Sequence, residues 1–292
     1  MNITSLEIET QPEVWARALD LLGDAIPLLT RPGERMLVIG CGTSAFVAES
    51  FAALRESAGF GETDAAYASE PRPWRPYDTV IGITRSGTTT EVLDALRAVP
   101  AGVRKVVVTG VADSPCAQLA DEVLLLDFAD ERSVVQTRFP TTFLFLARAA
   151  FGEDVSALPA RATEALAGEQ PETPPGFDHV VYLGRGWTYG LAQEAALKIR
   201  EAAQAWAESY PLLDYRHGPI AVAHPGSLVW LLGVVDDGLA RDIEATGATV
   251  VQSEADPLIQ LLLAQRFAVD TAVARGLDPD HPRHLTRSIV LS

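Results

Sequence analysis

A pattern that runs once and then restarts constrains this chain more than any other feature. Short apolar runs alternate with helical patterns. The runs are MLVIG (Met36–Gly40), TDAAYAS (Thr63–Ser69), TVIGIT (Thr79–Thr84), KVVVTG (Lys105–Gly110) and EVLLLD (Glu122–Asp127). Their spacing predicts helices over about Thr43 to Ser57, from Thr88, and over about Thr137 to Ala150. The order then repeats about 145 residues later: HVVYLG (His179–Gly184) matches MLVIG, LVWLLG (Leu228–Gly233) matches TVIGIT, and ATVVQ (Ala248–Gln252) matches KVVVT. Two of the matched runs feed glycine-containing turns, GCGTS at Gly40 and GRGWT at Gly184. PETPPG (Pro171–Gly176) reads as the linker. A βαβα rhythm predicts parallel strands covered by helices on both faces. The expectation is an α/β protein of two similar open parallel-sheet halves. Residues 1–165 form the first, with an N-terminal helix, and 170–292 the second, with a C-terminal tail.

At 292 residues with 48% hydrophobic content, the chain has room for a real core. Its net charge of −16 argues against a nucleic-acid surface, which needs clustered Lys and Arg. Two cysteines, Cys41 and Cys116, suit a reducing cytoplasm better than a disulfide framework or a metal cluster. The N-terminus lacks the basic and apolar regions of a signal peptide, and no apolar run approaches the ~20 residues of a membrane span. Lys105 and Lys198 are the only lysines among 23 Lys and Arg residues, which limits any Schiff-base chemistry to two candidates.

GITRSGTTTEV (Gly82–Val92) places Thr84, Ser86, Thr88, Thr89 and Thr90 at the carboxyl end of a strand and the start of a helix. Ligands of open α/β sheets bind there, and helix N-termini favour anions. Neutral hydroxyl donors with a glycine, Gly87, allow close backbone approach and suit a phosphate monoester. Thr88 and Glu91 also fit a capping box, which needs no ligand but leaves Thr84, Ser86 and Thr89 unexplained. GCGTSA fits a dinucleotide fingerprint, with Glu62 or Asp64 near the position of a ribose-binding acid. The chain has no P-loop motif.

A helix is predicted from Trp187 to about Glu208, with Ala192, Ala195, Ala196, Ile199, Ala203 and Trp206 on one face. Glu194, Lys198, Glu201 and Glu208 share the other face. That face reads either as solvated ion pairs or as a carboxylate held beside a cation to act as a base. His217 follows in DYRHGPIAV, a turn-like stretch where an imidazole could assist ring opening. His281 and His284 lack the further ligands of a metal site.

Taken together, IETQP, GCGTS, ITRSGTT, ERSVVQTRFPTTF, LGRGWTYGLAQEAALKIRE, DYRHGPIAV and DPDHPRHLTRS resemble the sugar isomerase (SIS) family. That family includes the isomerase part of glucosamine–fructose-6-phosphate aminotransferase and its stand-alone relatives. The resemblance covers nearly the whole chain and implies two flavodoxin-like SIS subdomains. It implies that Thr84, Arg85, Ser86 and Thr89 bind phosphate, and that Ser44 and Val134 line the sugar site. It implies Glu201 as the base moving a proton between C1 and C2, Lys198 beside it, and His217 in ring opening, reached across a homodimer interface. Arg85 would add a cation for the phosphate.

Arg287 stands in HLTRS where the synthase has an imine-forming lysine. Arginine stays protonated, so imine formation there is not expected. No glutaminase segment precedes the sugar domains, so transfer of amide nitrogen is not expected either. The implied activity is that of a cytoplasmic, cofactor-free phosphosugar isomerase acting on a hexose- or hexosamine-6-phosphate. Amino-sugar-phosphate deamination and fructosamine-6-phosphate deglycation share the same proton transfer. A sugar-phosphate sensor and an NAD-linked enzyme are the alternatives of other classes.

Overall fold

The computed structural model describes residues 2–70, 75–168 and 176–291. Apart from Gly176, the expected linker PETPPG lies outside the described residues. The first half comprises α1 (Ile3–Glu9), α2 (Gln11–Ala18), α3 (Leu22–Leu29), β1 (Met36–Gly40), α4 (Thr43–Ser57), β2 (Thr63–Tyr67), β3 (Thr79–Ile83), α5 (Thr90–Arg97), β4 (Arg104–Thr109), α6 (Pro115–Leu119), β5 (Glu122–Leu125), α7 (Arg138–Ala150) and α8 (Leu158–Ala167). The second comprises β6 (His179–Gly184), α9 (Thr188–Lys198), β7 (Ala207–Pro211), β8 (Ser227–Leu231), α10 (Asp237–Glu244), β9 (Thr249–Gln252) and α11 (Pro257–Ala274).

Two parallel sheets form, in the orders β2-β1-β3-β4-β5 and β7-β6-β8-β9. The inner strands β1, β3, β6 and β8 are buried along their whole length. That is why each reads as a continuous apolar run rather than an alternating one. The strand order reverses direction between β1 and β3 in one sheet and between β6 and β8 in the other, leaving a crevice at their carboxyl ends.

One main core joins the halves. Val47, Ala48 and Phe51 of α4 share it with Leu191, Ala192 and Ala195 of α9, Phe143 of α7 and Leu262 of α11. Helices α4 and α9 pack directly on each other. A smaller core beneath β6 and β8 is closed by Leu239 and Ile243 of α10.

Three expectations need correction. The helix after the hydroxyl loop starts at Thr90 rather than Thr88, so Thr88 is no cap. The helix starting near Trp187 does not reach Glu208. It ends at Lys198 and opens into a π turn over Ile199–Ala203, and Gln204 then takes a left-handed conformation. Glu208 lies instead on β7, its carboxylate 3.0 Å from the His179 ring, and Trp206 is exposed rather than buried. Thirdly, of the two readings of this helix's charged face the solvated one does not hold for Glu194 and Lys198, which are each 1% exposed.

Candidate functional site

The crevice between β1 and β3 holds a small cavity of about 30 Å³ lined by Cys41, Ser44, Thr84, Arg85, Ser86, Thr89, Gln136 and Arg287, with Ile83 and Val92 at its apolar side. The loop that builds it is tightly cross-braced. The Thr84 N–H still donates to Val108, and the Gly87 N–H donates back to the Thr84 carbonyl and hydroxyl. The Gly110 N–H and the Thr109 hydroxyl both donate to the Arg85 carbonyl. Gly87 has φ +66°, and a Cβ there would stand 2.0 Å from the Ser114 hydroxyl, so no other residue fits. Thr84, Arg85 and Ser86 are buried.

Arg85 uses two of its three guanidinium nitrogens on the protein itself. Its guanidinium donates to the Ser133 carbonyl at 2.8 Å and to the Arg287 carbonyl at 2.6 Å. Only Nε is left without a partner. Burial lowers the pKa of this guanidinium, against the attraction of Glu131. Arg287 is likewise engaged: it donates to both Asp130 oxygens and to the Glu131 carbonyl. The tail therefore roofs the cavity. The Ser288 hydroxyl lies 3.1 Å from that of Ser86 and 2.8 Å from that of Thr88, and the Thr90 N–H donates to Ile289. Further back, Asp280 accepts from the backbone of Ile3 and Thr4, which ties the tail to α1.

The wall opposite the loop is held by buried carboxylates. Glu7 on α1 accepts from the N–H groups of Arg132 and Ser133. Glu131 accepts from the N–H groups of Thr137 and Arg138 at the start of α7, where a negative charge suits the helix dipole. Burial nevertheless pushes the Glu131 carboxyl upward. Val134 is half-buried on this wall and does not line the cavity, whereas Gln136, two residues along, does.

The carboxylate–lysine pair belongs to the other half, and neither of its residues is among those lining this cavity. Lys198 Nζ lies 2.5 Å from Glu201 Oε2 and 3.3 Å from Glu194 Oε1, and it donates to the Thr43 hydroxyl at 3.1 Å. Thr43 is the neighbour of Ser44, so this bond links the pair to the cavity wall. The π turn brings Lys198 and Glu201 side by side, and such turns are common at functional sites. Burial lowers the Lys198 pKa, but Glu194 and Glu201 outweigh it and the net shift is upward. Burial raises the Glu194 carboxyl to about 7, opposed by Lys198.

His217 is not brought to this place. It is exposed on the turn Leu212–His217 and lines a separate open cavity of about 440 Å³ with Arg185, Tyr189 and Asp214. The acids of the dinucleotide reading are occupied elsewhere: Glu62 pairs with Arg35, and Asp64 accepts from Tyr77 and Arg75. Among the described residues no cluster of metal-ligating side chains occurs, and no helix is long and apolar enough to cross a membrane.

Sequence reasoning missed Cys41, Thr43, Gln136 and the buried state of Glu194. Cys41 and Thr43 lie in the same GCGTS motif as the recognised Ser44, but nothing local marks Gln136 as facing the cavity.

Residues 28–151 match the SIS domain family. The chain is 31% identical to the glutamine–fructose-6-phosphate aminotransferase of Pyrobaculum aerophilum, a match covering 73% of this chain and 44% of that protein. It is 28% identical to the enzyme of the same name from Aeropyrum pernix, over 98% of this chain and 56% of that one. The chain thus spans about half the length of the curated relatives it matches. Glucosamine-6-phosphate deaminase from Thermotoga maritima superposes with a TM-score of 0.87 at 26% identity, covering 99% of this chain and 100% of the other. Tagatose-6-phosphate ketose/aldose isomerase from Escherichia coli shares the fold, with a TM-score of 0.73 at 21% identity, 99% of this chain and 96% of that one. The SIS domain is the family that the first half of the chain matches.

Proposed function

We propose that the protein acts on a hexose- or hexosamine-6-phosphate by moving a proton between C1 and C2. One observation carries this reading: the hydroxyls of Ser44, Thr84, Ser86 and Thr89 converge on one cavity, and Thr43 beside it anchors the Lys198–Glu201 pair. The hydroxyls and the Arg85 Nε–H hold the phosphoryl oxygens. Glu201 takes the proton alpha to the carbonyl and returns it to the adjacent carbon, while Lys198 beside it stabilises the charge. A cavity of about 30 Å³ has room for little more than a water molecule, so the tail from Arg287 to Leu291 lifts before the substrate enters. Exposed His217 suits a role in ring opening from a second copy, which makes a homodimer the working unit. The free thiols of Cys41 and Cys116 fit a reducing compartment, and we place the reaction in the cytoplasm.

The likeness to the Thermotoga maritima deaminase favours a second outcome of the same step. Proton transfer from C2 to C1 converts a 2-amino aldehyde to a 2-imine. Water then hydrolyses the imine to a ketone and ammonia. Arg287 stays protonated and takes no part in imine formation. Incubation with glucosamine 6-phosphate, glucose 6-phosphate and fructose 6-phosphate, followed by ammonia and isomer assays, separates the outcomes. If none of these esters raises the melting temperature or is turned over, the proposal falls.

A further inference from the structure

Two polar atoms at the cavity have no partner. Arg85 Nε is a donor, and Gln136 Oε1 is an acceptor; both are cut off from solvent, and both residues line the space between the hydroxyl loop and the opposite wall. A buried polar atom without a partner is destabilising, so such an atom beside a ligand cavity points to a bond made only when the ligand is present. The two orphans differ in what they require. Arg85 Nε–H needs an acceptor, which a phosphoryl oxygen supplies. Gln136 Oε1 needs a donor, and a phosphate ester dianion has none to offer.

We infer that Gln136 reads the sugar rather than the phosphate, its amide oxygen accepting a hydrogen bond from a hydroxyl or amino group on the carbon chain. This deepens the proposed function and rests on it. The cavity then has a donor side built from the loop hydroxyls and Arg85, and an acceptor side at Gln136. Loop and wall together distinguish a phosphosugar from a bare phosphate. The Gln136 backbone lies between Ser133, held by Glu7, and Thr137, held by Glu131, so its side chain starts from a fixed position.

The test compares Gln136→Leu with the unaltered protein, using calorimetric titration with inorganic phosphate, glucose 6-phosphate and glucosamine 6-phosphate. The expected result is unchanged phosphate affinity and about tenfold weaker binding of the sugar esters, the worth of one hydrogen bond. KM should rise more than kcat falls. Equal weakening for phosphate and sugar esters would put the amide on the phosphoryl group and overturn the inference, as would unchanged affinity for all three. If the unaltered protein binds phosphate but prefers neither ester, the proposed function itself fails. Removing an orphan polar atom should leave the melting temperature unchanged or raised. If Gln136→Leu nevertheless unfolds, Gln136→Met, closer in length, is read by the same titrations.

Discussion

The turn after β1 and the turn after β6 are one piece of backbone put to two uses. A Cβ on Gly40 would stand 2.6 Å from the Ser44 carbonyl carbon, and one on Gly184 2.2 Å from the Thr188 carbonyl oxygen. Gly42 and Gly186 follow with φ of 54° and 58°. The side chains then diverge. Thr188 accepts from the Arg185 N–H and donates to the Leu232 carbonyl, both at 2.9 Å, which closes the second turn on itself. Ser44 lines the cavity. After β3 the chain presents a run of hydroxyls. After β8 it presents Leu232 to Val235, then Asp236, whose carboxylate accepts from the Leu239 N–H and so caps α10. Among the described residues, the hydroxyls that line the cavity come from the first half. The second half supplies Lys198 and Glu201, and the two meet where α9 packs on α4. The repeat thus provides two scaffolds, and the candidate site sits at their seam.

This division can be broken from either side. Glu201→Gln should have the largest effect, lowering turnover by about 10²–10⁴-fold while calorimetry shows phosphosugar binding retained. Retained turnover would remove the second half from the chemistry. Next, Ser86→Ala with Thr89→Val should weaken sugar-phosphate binding about 10–100-fold through two lost bonds to a charged ligand. The corresponding change after β8, Val235→Ala, should leave affinity alone.

Glu194 sharpens the comparison through pH. Burial holds its carboxyl above the ordinary 4.5, at about 7, so the folded protein binds that proton more tightly than the unfolded chain. The resulting stabilisation is complete below pH 4.5 and is lost as pH rises through 7. Glu194→Gln escapes that loss. Its stability relative to the unaltered protein should therefore climb between those pH values, by up to about 3 kcal/mol. Denaturant titrations across the range would read it, and a flat difference would mean that Glu194 stays ionised throughout.

The smallest effects separate the twin turns. Thr188→Val should cost about 1–2 kcal/mol by orphaning the buried Leu232 carbonyl, without touching ligand affinity. Ser44→Ala should do the reverse, changing stability by less than about 0.5 kcal/mol and weakening the sugar ester. Equal losses of stability in both would show that the two hydroxyls serve the same structural end.

Much of this was legible locally. Strands buried on both faces must be apolar throughout, so β1, β3, β6 and β8 stand out as runs, and glycine turns mark their ends. The β2 counterpart in the second half did not stand out. AESYP, now β7, is an edge strand of mixed burial, and it follows a helical pattern with no break that a local rule would notice. The π turn has no sequence signature of its own. Glu194 and Lys198 carried the spacing of a solvated face, and it is tertiary packing, including Thr43 of α4 some 150 residues away, that buries them.

The sequence by itself determined the repeat, the positions of the inner strands and the hydroxyl loop, because burial on two faces and the need for close backbone approach leave marks in adjacent residues. Tertiary structure alone decided which hydroxyl of the twin turns faces a cavity, that Arg85 and Arg287 at that cavity also hold backbone carbonyls and the Asp130 carboxylate, and that Gln136 reaches it. Those outcomes depend on partners distant along the chain, and no local pattern records which surface will come to cover a side chain.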